Sequence, residues 1–415
     1  MFIMDEKMKN EDSKGRCGLE NTRQNNEQKE NRSVNAAGNA TNENAANGNA
    51  TNGENTSVHV RRKRYSGTHP KKFEEKYKEH NPEKYADTVA KVISKGSTPA
   101  GMHISIMVKE VLEALKIQPG EIGLDATLGY GGHSRKMMEQ LQGSGHLYAL
   151  DVDPIEIVKT KKRLNEAGFG DDIFTPISEN FANIDKVARE YGPFHFMMAD
   201  LGVSSMQIDN PERGFSYKLD GPLDLRLNPE KGVPAWERLK DMNRDEVIGM
   251  LVENSDEPYA ERIANVLMNK KKKGTPVKTT TELREVVETA LCISYNQKKV
   301  ESSLKELSRL SQEELKELIK KTCQRVFQAI RIDVNSEFEV LDSFLTKLPE
   351  VLAEGGRVAI LTFHSGEDRM VKRAFKEYYR LGIFSAISED VIRPSSEDCR
   401  MNGRARSTKL RWAVK

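Results

Sequence analysis

The sequence has no two cysteines placed to act together. Cys17, Cys292, Cys323 and Cys399 are scattered and none belongs to a CxxC pair. That excludes a zinc ribbon or a disulfide framework and suits a reducing compartment. Charge excess is missing too: the net charge is +2 over 415 residues. Bulk electrostatics therefore do not mark a nucleic-acid binder, and any such role must come from local basic clusters. No apolar run reaches membrane-spanning length, and the first residues lack the apolar stretch of a signal peptide. A soluble, cytoplasmic protein is the expectation. Large apolar side chains are nearly absent after Leu19 up to residue 57, where Asn, Glu, Gly and Ala dominate. Such a segment cannot bury enough surface to offset its ordering entropy, so 1–57 reads as a disordered tail.

What is present begins with a basic and aromatic arm at 58–101. Arg61-Arg62-Lys63-Arg64 opens it, and Phe73, Tyr77 and Tyr85 follow among alternating charges. A solvated, partly helical arm and an arm that reaches RNA phosphate with tyrosines free to stack are both compatible with that pattern. From Met102 the sequence turns globular. An amphipathic helix at Ile106 to Leu115 precedes strands at Gly123 to Ala126, His146 to Asp151, Ile173 to Ile177 and Phe194 to Leu201, with helices after His133, from Pro154 and from Asn183. Strands alternating with helices predict an α/β fold, a parallel sheet with helices on both faces. The alternation stops after Leu201 and returns with a helix at Ser336 to Ala353, the strand Arg357 to Phe363, a helix from Asp368 and a last strand near Leu410 to Val414. The expected organisation is a core at 102–209 and 325–415, split by a helical insertion at 210–324 that carries the basic run Lys270 to Lys273 and the Lys/Glu-rich helix Leu304 to Ile319.

The chemistry concentrates at Leu124-Asp125-Ala126-Thr127-Leu128-Gly129-Tyr130-Gly131-Gly132-His133-Ser134. A strand ends in an acid, a glycine-rich turn follows and a helix starts, the arrangement by which backbone approaches a nucleotide-like cofactor. A Walker loop is excluded because no Gly-Lys-Ser/Thr follows, and a dinucleotide fingerprint lacks its third glycine, replaced by Ser134. The second strand ends in Asp151-Val152-Asp153, an acid at a strand tip placed to accept ribose hydroxyls, which serves NAD and S-adenosylmethionine equally. Phe181 is either core or a surface for an adenine ring. The fourth strand delivers Asp200-Leu201-Gly202-Val203-Ser204-Ser205 to the carboxyl edge. In an amino-group methyltransferase an acid there accepts the amine hydrogen and localises a lone pair otherwise delocalised into the base. Orienting the cofactor or capping the loop is the alternative role for Asp200.

These blocks resemble the bacterial 16S ribosomal RNA (cytosine-N4)-methyltransferases, the H-type small-subunit enzymes. The match continues through Asp200 to Gln207, Arg213-Gly214-Phe215-Ser216, Asp220 to Arg226, Phe327 to Asn335, Thr362-Phe363-His364-Ser365-Gly366-Glu367-Asp368-Arg369 and Arg404 to Arg411. The resemblance implies a Rossmann-like methyltransferase core with an inserted helical domain, S-adenosylmethionine as methyl donor, no metal, and N4 methylation of a decoding-centre cytidine of 16S rRNA in the small ribosomal subunit. By motif position it implies cofactor contacts at Gly131, Gly132, His133, Asp151, Phe181, Asp200 and Gln207. It favours Asp151 over Asp153 at the ribose and leaves a catalytic role for Asp200 open. His364 and the arginines Arg213, Arg226, Arg331, Arg369, Arg404 and Arg406 are the expected substrate contacts, each arginine alternatively a structural ion-pair partner. The chain departs from the family at Gly366, where leucine is usual. A flipped-out cytidine follows from the chemistry, since a stacked base does not reach the donor. The rival readings are an NAD-dependent oxidoreductase, which the missing glycine disfavours, a non-catalytic assembly factor, which the intact loop and Asp200 disfavour, and a DNA amino-methyltransferase, whose Asn/Asp-Pro-Pro-Tyr/Phe motif Asp200-Leu201-Gly202-Val203 does not match.

Overall fold

A seven-stranded sheet in the order β3-β2-β1-β4-β5-β7-β6 organises the chain. The structure, a computed structural model, describes residues 105–292 and 310–415. The tail at 1–57, the arm at 58–101 and the beginning of the Leu304 to Ile319 helix lie outside the described residues. Strands β1 (Ile122–Asp125), β2 (His146–Asp151), β3 (Phe174–Ser178), β4 (Phe194–Asp200) and β5 (Leu352–Thr362) are parallel; β7 (Lys409–Val414) is antiparallel to β5 and to the short β6 (Ala386–Ile387). Helix α1 (Val108–Leu115) precedes β1, and α2 (Gly132–Leu141), α3 (Pro154–Glu166) and α4 (Ile184–Tyr191) connect the first four strands. Between β4 and β5 come α5 (Ser205–Asp209), α6 (Ala235–Asp241), α7 (Arg244–Ser255), α8 (Ala260–Lys272), α9 (Thr280–Cys292), α10 (Gln312–Asn335) and α11 (Glu337–Val351); α12 (Ser365–Arg380) and α13 (Ser396–Met401) follow β5.

Successive side chains of a strand point to opposite faces, and here helices cover both, so the central strands are largely apolar up to their terminal acids. In β4, Phe196 and Met198 pack with Leu115 of α1 and Met137 and Met138 of α2, while Met197 and Ala199 pack with Ile184 of α4 and Phe344 of α11. This is the α/β architecture the alternating pattern predicts. A separate apolar cluster is built by the helices between β4 and β5, with Leu239, Leu251, Ile263 and Val287 at its centre.

Helix α10 corrects one expected boundary. Its Cys323, Val326, Phe327 and Ile330 are buried in the insertion's cluster, so the division expected between 324 and 325 falls inside one continuous helix. The chain turns back toward the sheet at Ser336, a left-handed residue (φ 49°) between α10 and α11. The helix expected from Ser336 is therefore α11, starting at Glu337. The two-residue β6 was not expected, being too short for an alternating pattern to register. No helix among the described residues is long and apolar enough to cross a membrane.

Candidate active site

Strands β1, β2 and β4 each end in an aspartate, Asp125, Asp151 and Asp200, at the carboxyl edge where the strand order reverses between β1 and β4. Open α/β sheets bind their ligands in that crevice. Asp125 is buried and accepts hydrogen bonds from Ser134 Oγ at 2.5 Å and Thr127 N at 3.0 Å. Thr127 Oγ1 in turn accepts from the backbone N of Asp200 at 2.6 Å, so one short network fixes the ends of β1 and β4 and the start of α2.

The glycine turn is shaped by the chain's own packing as much as by any ligand. Gly131 caps α2 at φ 81°, where an L side chain is strained, and a Cβ there would stand 2.7 Å from Thr160 Cγ2 of α3. A Cβ on Gly132 would overlap the Ser105 side chain. Gly129 (φ 48°) differs, with only Thr127 O at 3.9 Å beside its missing Cβ. Of the three glycines, Gly129 is the one with open space on its Cβ side. Thr160 Oγ1 donates to Gly129 O at 2.7 Å and Arg163 Nη1 to Tyr130 O at 2.8 Å, which holds the turn onto α3.

Electrostatics set the edge apart. Asp151 accepts from Gly129 N and Asp153 N, each at 2.8 Å, and burial, reinforced by the nearby Asp153 and Glu156 carboxylates, pushes it up to about 6. The Asp200 side chain is 32% exposed, yet its Oδ1 is buried with no hydrogen-bond partner. Burial first, and then the charges of Asp125 and Glu367, push Asp200 up to about 7. His133 lies beside it, 7% exposed, its Nε2 also buried without a partner and 3.7 Å from Asp200 Oδ2, too far to hydrogen-bond. Burial holds that imidazole down to about 4, so it is neutral. Two buried polar atoms without partners face one crevice, beside an acid that titrates near neutral pH.

Of the residues expected to serve the site, the structure brings Gly131, Gly132, His133, Asp151 and Asp200 to this edge. Phe181 stands half-buried after β3, edge-on to Phe344 with ring centroids 5.3 Å apart. Gln207 is buried next to the tip of β2: its Oε1 accepts from Ser204 N and its Nε2 donates to Asp153 Oδ2 at 3.0 Å. Arg213, expected at a phosphate, is buried; its Nη1 pairs with the same Asp153 oxygen at 2.7 Å and its Nη2 donates to the carbonyls of Arg226 and Leu227. Arg226 pairs with Asp224, and Arg331 forms two bonds of 2.8 Å to Glu337. Those three guanidiniums sit in the structural ion pairs weighed as the alternative. Arg369 and Arg406 are exposed, and Arg404 belongs to the short turn Gly403–Ser407. His364 is the N-cap of α12, with Nδ1 accepting from Glu367 N at 3.4 Å.

Two residues have structural roles that the sequence reading did not give them. Asp153 is fully buried and caps α3 through Ile155 N; an acid directly before a proline at the start of a helix was the available signal. Glu367 is buried behind Asp200 and accepts from Phe363 N at 2.8 Å; nothing local marks it beyond its capping position. Glu337, His364 and Glu367 have ligand atoms within 4.8 Å of one another, but Arg331 already neutralises Glu337 and backbone N–H groups take Glu367. At Gly366 the Phe338 ring edge lies 2.7 Å from where a Cβ would be, so the ring packs close against the glycine.

The MraW methylase family matches residues 100–415 of the chain. Proteins named ribosomal RNA small subunit methyltransferase H 1 from Lachnoclostridium phytofermentans and Agathobacter rectalis are 63% and 61% identical over 358 and 357 residues, spanning 86% of this chain and 93% and 98% of their own lengths. A ribosomal RNA small subunit methyltransferase H 2 from Alkaliphilus metalliredigens is 58% identical over 355 residues, 86% of this chain and 97% of that relative. With a match across the whole sheet, the three strand-end aspartates and the glycine turn, this chain belongs to the MraW methylase family.

Proposed function

We propose that the chain is an S-adenosylmethionine-dependent methyltransferase that modifies the N4 amine of a decoding-centre cytidine in 16S rRNA of the small ribosomal subunit. The observation that carries the reading is Asp200, a carboxylate with a buried unpartnered oxygen at the carboxyl edge, next to a glycine turn and a strand-tip acid. The edge fits the cofactor. Asp151 accepts hydroxyl hydrogens at the tip of β2, the open side of Gly129 admits a ligand, and the partnerless Asp200 Oδ1 and His133 Nε2 take polar groups. Phe181 offers an apolar ring face. S-adenosylmethionine supplies an electrophilic methyl group that needs no metal to be transferred.

The protein's part is to make a poor nucleophile a usable one. Asp200, ionised, accepts a hydrogen of the exocyclic amine, which localises the nitrogen lone pair for attack, and the displaced proton comes to rest on its carboxylate. A pKa near the working pH suits both halves of that exchange. Neutral His133 adds no positive charge next to the acid. We assign the helical insertion, 210–335, to substrate binding, and the exposed Arg369 and Arg406 to rRNA phosphate. Ribosomal RNA as substrate carries the cytoplasm with it as the site of action.

Mapping modified nucleosides in small-subunit rRNA with and without the protein tests the reading. N4-methylcytidine at the decoding centre is expected to disappear on deletion and to return with the wild-type chain. Full modification in the deletion strain would overturn the proposal.

A further inference from the structure

A continuous hydrogen-bonded path leads from the strand-tip acid to the hinge of the helical insertion. Asp151 Oδ1 accepts from Asp153 N at 2.8 Å, and Asp153 Oδ2 takes Arg213 Nη1 at 2.7 Å and Gln207 Nε2 at 3.0 Å. Arg213 Nη2 donates to the carbonyls of Arg226 at 3.1 Å and Leu227 at 2.8 Å. From there Leu227 N donates to Asn335 Oδ1 at 2.7 Å, and Asn335 Nδ2 donates to Leu225 O at 2.8 Å. Asn335 is the last residue of α10, directly before left-handed Ser336. Asp153, Gln207 and Arg213 are all buried.

The path pins a strained loop. Leu225, buried at its centre, holds φ 62°, a left-handed conformation that a non-glycine residue keeps only where its surroundings over-determine it. Its N–H donates to Arg213 O and its carbonyl accepts from Asn335, so both partners of the loop are members of the path. The loop lies inside the insertion and follows α5 and the short turn Pro211–Arg213, which come after the end of β4 where Asp200 sits.

We propose that Asp153, Arg213 and Asn335 are positioning residues, a clasp that holds the 213–227 loop in the one register from which the insertion presents rRNA to the Asp200 crevice. The clasp rests on the methyltransferase reading, since it specifies how the substrate side of that site is ordered. Arg213 acts through Asp153 and the loop carbonyls, which explains why an arginine of a substrate-side motif is buried rather than free for phosphate.

The test uses Arg213→Lys, which keeps a charge opposite Asp153 but loses the fork that reaches both carbonyls, together with Asn335→Ala and the double variant. Three quantities are read on the full-length protein: S-adenosylhomocysteine affinity by calorimetry, KM and kcat on 30S subunits lacking the modification, and amide hydrogen exchange at Leu225 and Leu227. Each single variant is expected to exchange faster at both amides and to raise KM by about tenfold to a hundredfold, the size of a misplacement remote from the chemistry. Cofactor affinity and kcat stay within about threefold, and the double variant is no worse than the stronger single one because both cut the same path. Unchanged exchange at Leu225 and Leu227, or a loss of S-adenosylhomocysteine affinity as large as the rise in KM, overturns the clasp. Wild-type protein that neither binds S-adenosylhomocysteine nor methylates 30S subunits would overturn the functional reading instead, with the exchange measurement still deciding the clasp.

Discussion

Acids at the carboxyl edge of the sheet and acids of the helical insertion keep opposite company. Asp125, Asp151 and Asp200 are held by hydroxyl and backbone donors or by nothing, and among the described residues none pairs with a lysine or arginine. In the insertion Asp224 pairs with Arg226, Glu257 with Arg325 and Asp333 with Arg238. The boundary between the regimes runs through α12. There burial works to raise Glu367 and Asp368, but His364 and backbone N–H groups at the first, and Arg411 and Lys409 at the second, outweigh it and hold both low. All three edge aspartates are pushed up, burial being the first cause in each. The difference teaches where the protein tolerates an unfavourable charge. Scaffold acids are neutralised by cations, whereas among the described residues the edge aspartates have none, and Asp200 keeps a buried oxygen without a partner.

Removing the least satisfied acid should break this contrast most visibly. Asp200→Asn is expected to lower the methyl-transfer rate by about a hundredfold to ten-thousandfold, the range of a lost general base. S-adenosylhomocysteine binding reports whether the pocket survives, and a near-normal single-turnover rate would remove Asp200 from the chemistry. The wild-type rate should rise with pH up to about 7, as Asp200 ionises, and then level. Stability carries the opposite sign. The unfolded carboxyl releases its proton near its ordinary 3.8, while the folded one keeps it to about 7, so the wild type loses stability as pH rises between those values. Asp200→Asn escapes that loss and should be the more stable protein at pH 8, by on the order of 1–3 kcal/mol after discounting for solvent at the carboxylate. Equal denaturation midpoints at pH 8 would mean that the acid is better solvated than its geometry indicates.

The glycine turn sharpens the comparison on the backbone side. Gly131→Ala meets both a left-handed φ and Thr160, so a loss on the order of 2–3 kcal/mol is expected in chemical denaturation. Gly129→Ala should cost about 1 kcal/mol, the penalty of a left-handed residue alone, yet weaken S-adenosylhomocysteine more, because its methyl enters the open side of the turn. If the two variants lose stability and affinity in the same proportion, the division between a packing glycine and a ligand-side glycine fails.

Much of this site is legible in the sequence because its parts are local. An apolar run ending in Asp125, a glycine turn and helix α2 lie within one short stretch, and Asp151 and Asp200 announce themselves as acids ending apolar strands. What the sequence hides is long-range and pairwise. Nothing near Asp153 says that Gln207 and Arg213 will converge on it, across 54 and 60 residues, so both read as ligand contacts. The insertion's end is hidden for a related reason: which apolar cluster Cys323 to Ile330 join is decided by residues distant in sequence. The missing side chains of Gly131 and Gly132 also make room for Thr160, Leu164 and Ser105, a packing role that no local spacing shows.

The smallest expected effect tests the scaffold half of the contrast at its weakest point. Arg238 and Asp333 join α6 to α10 across a surface where Arg238 is 49% exposed, with Nε 2.9 Å from the carboxylate. Water already solvates much of that guanidinium, so pairing replaces hydration more than it adds binding. A double-mutant cycle with alanine at both positions should give a coupling of about 0.2–1 kcal/mol, shrinking with added salt. Glu257, whose side chain is fully buried against Arg325, has no such hydration to fall back on. Coupling at Arg238–Asp333 well above that range would mean that the insertion relies on its surface pairs for stability. Coupling near zero would confine the neutralised regime to buried partners such as Glu257, where an unpaired charge is costly, and the distinction from the crevice acids would then rest on burial rather than on the number of nearby arginines.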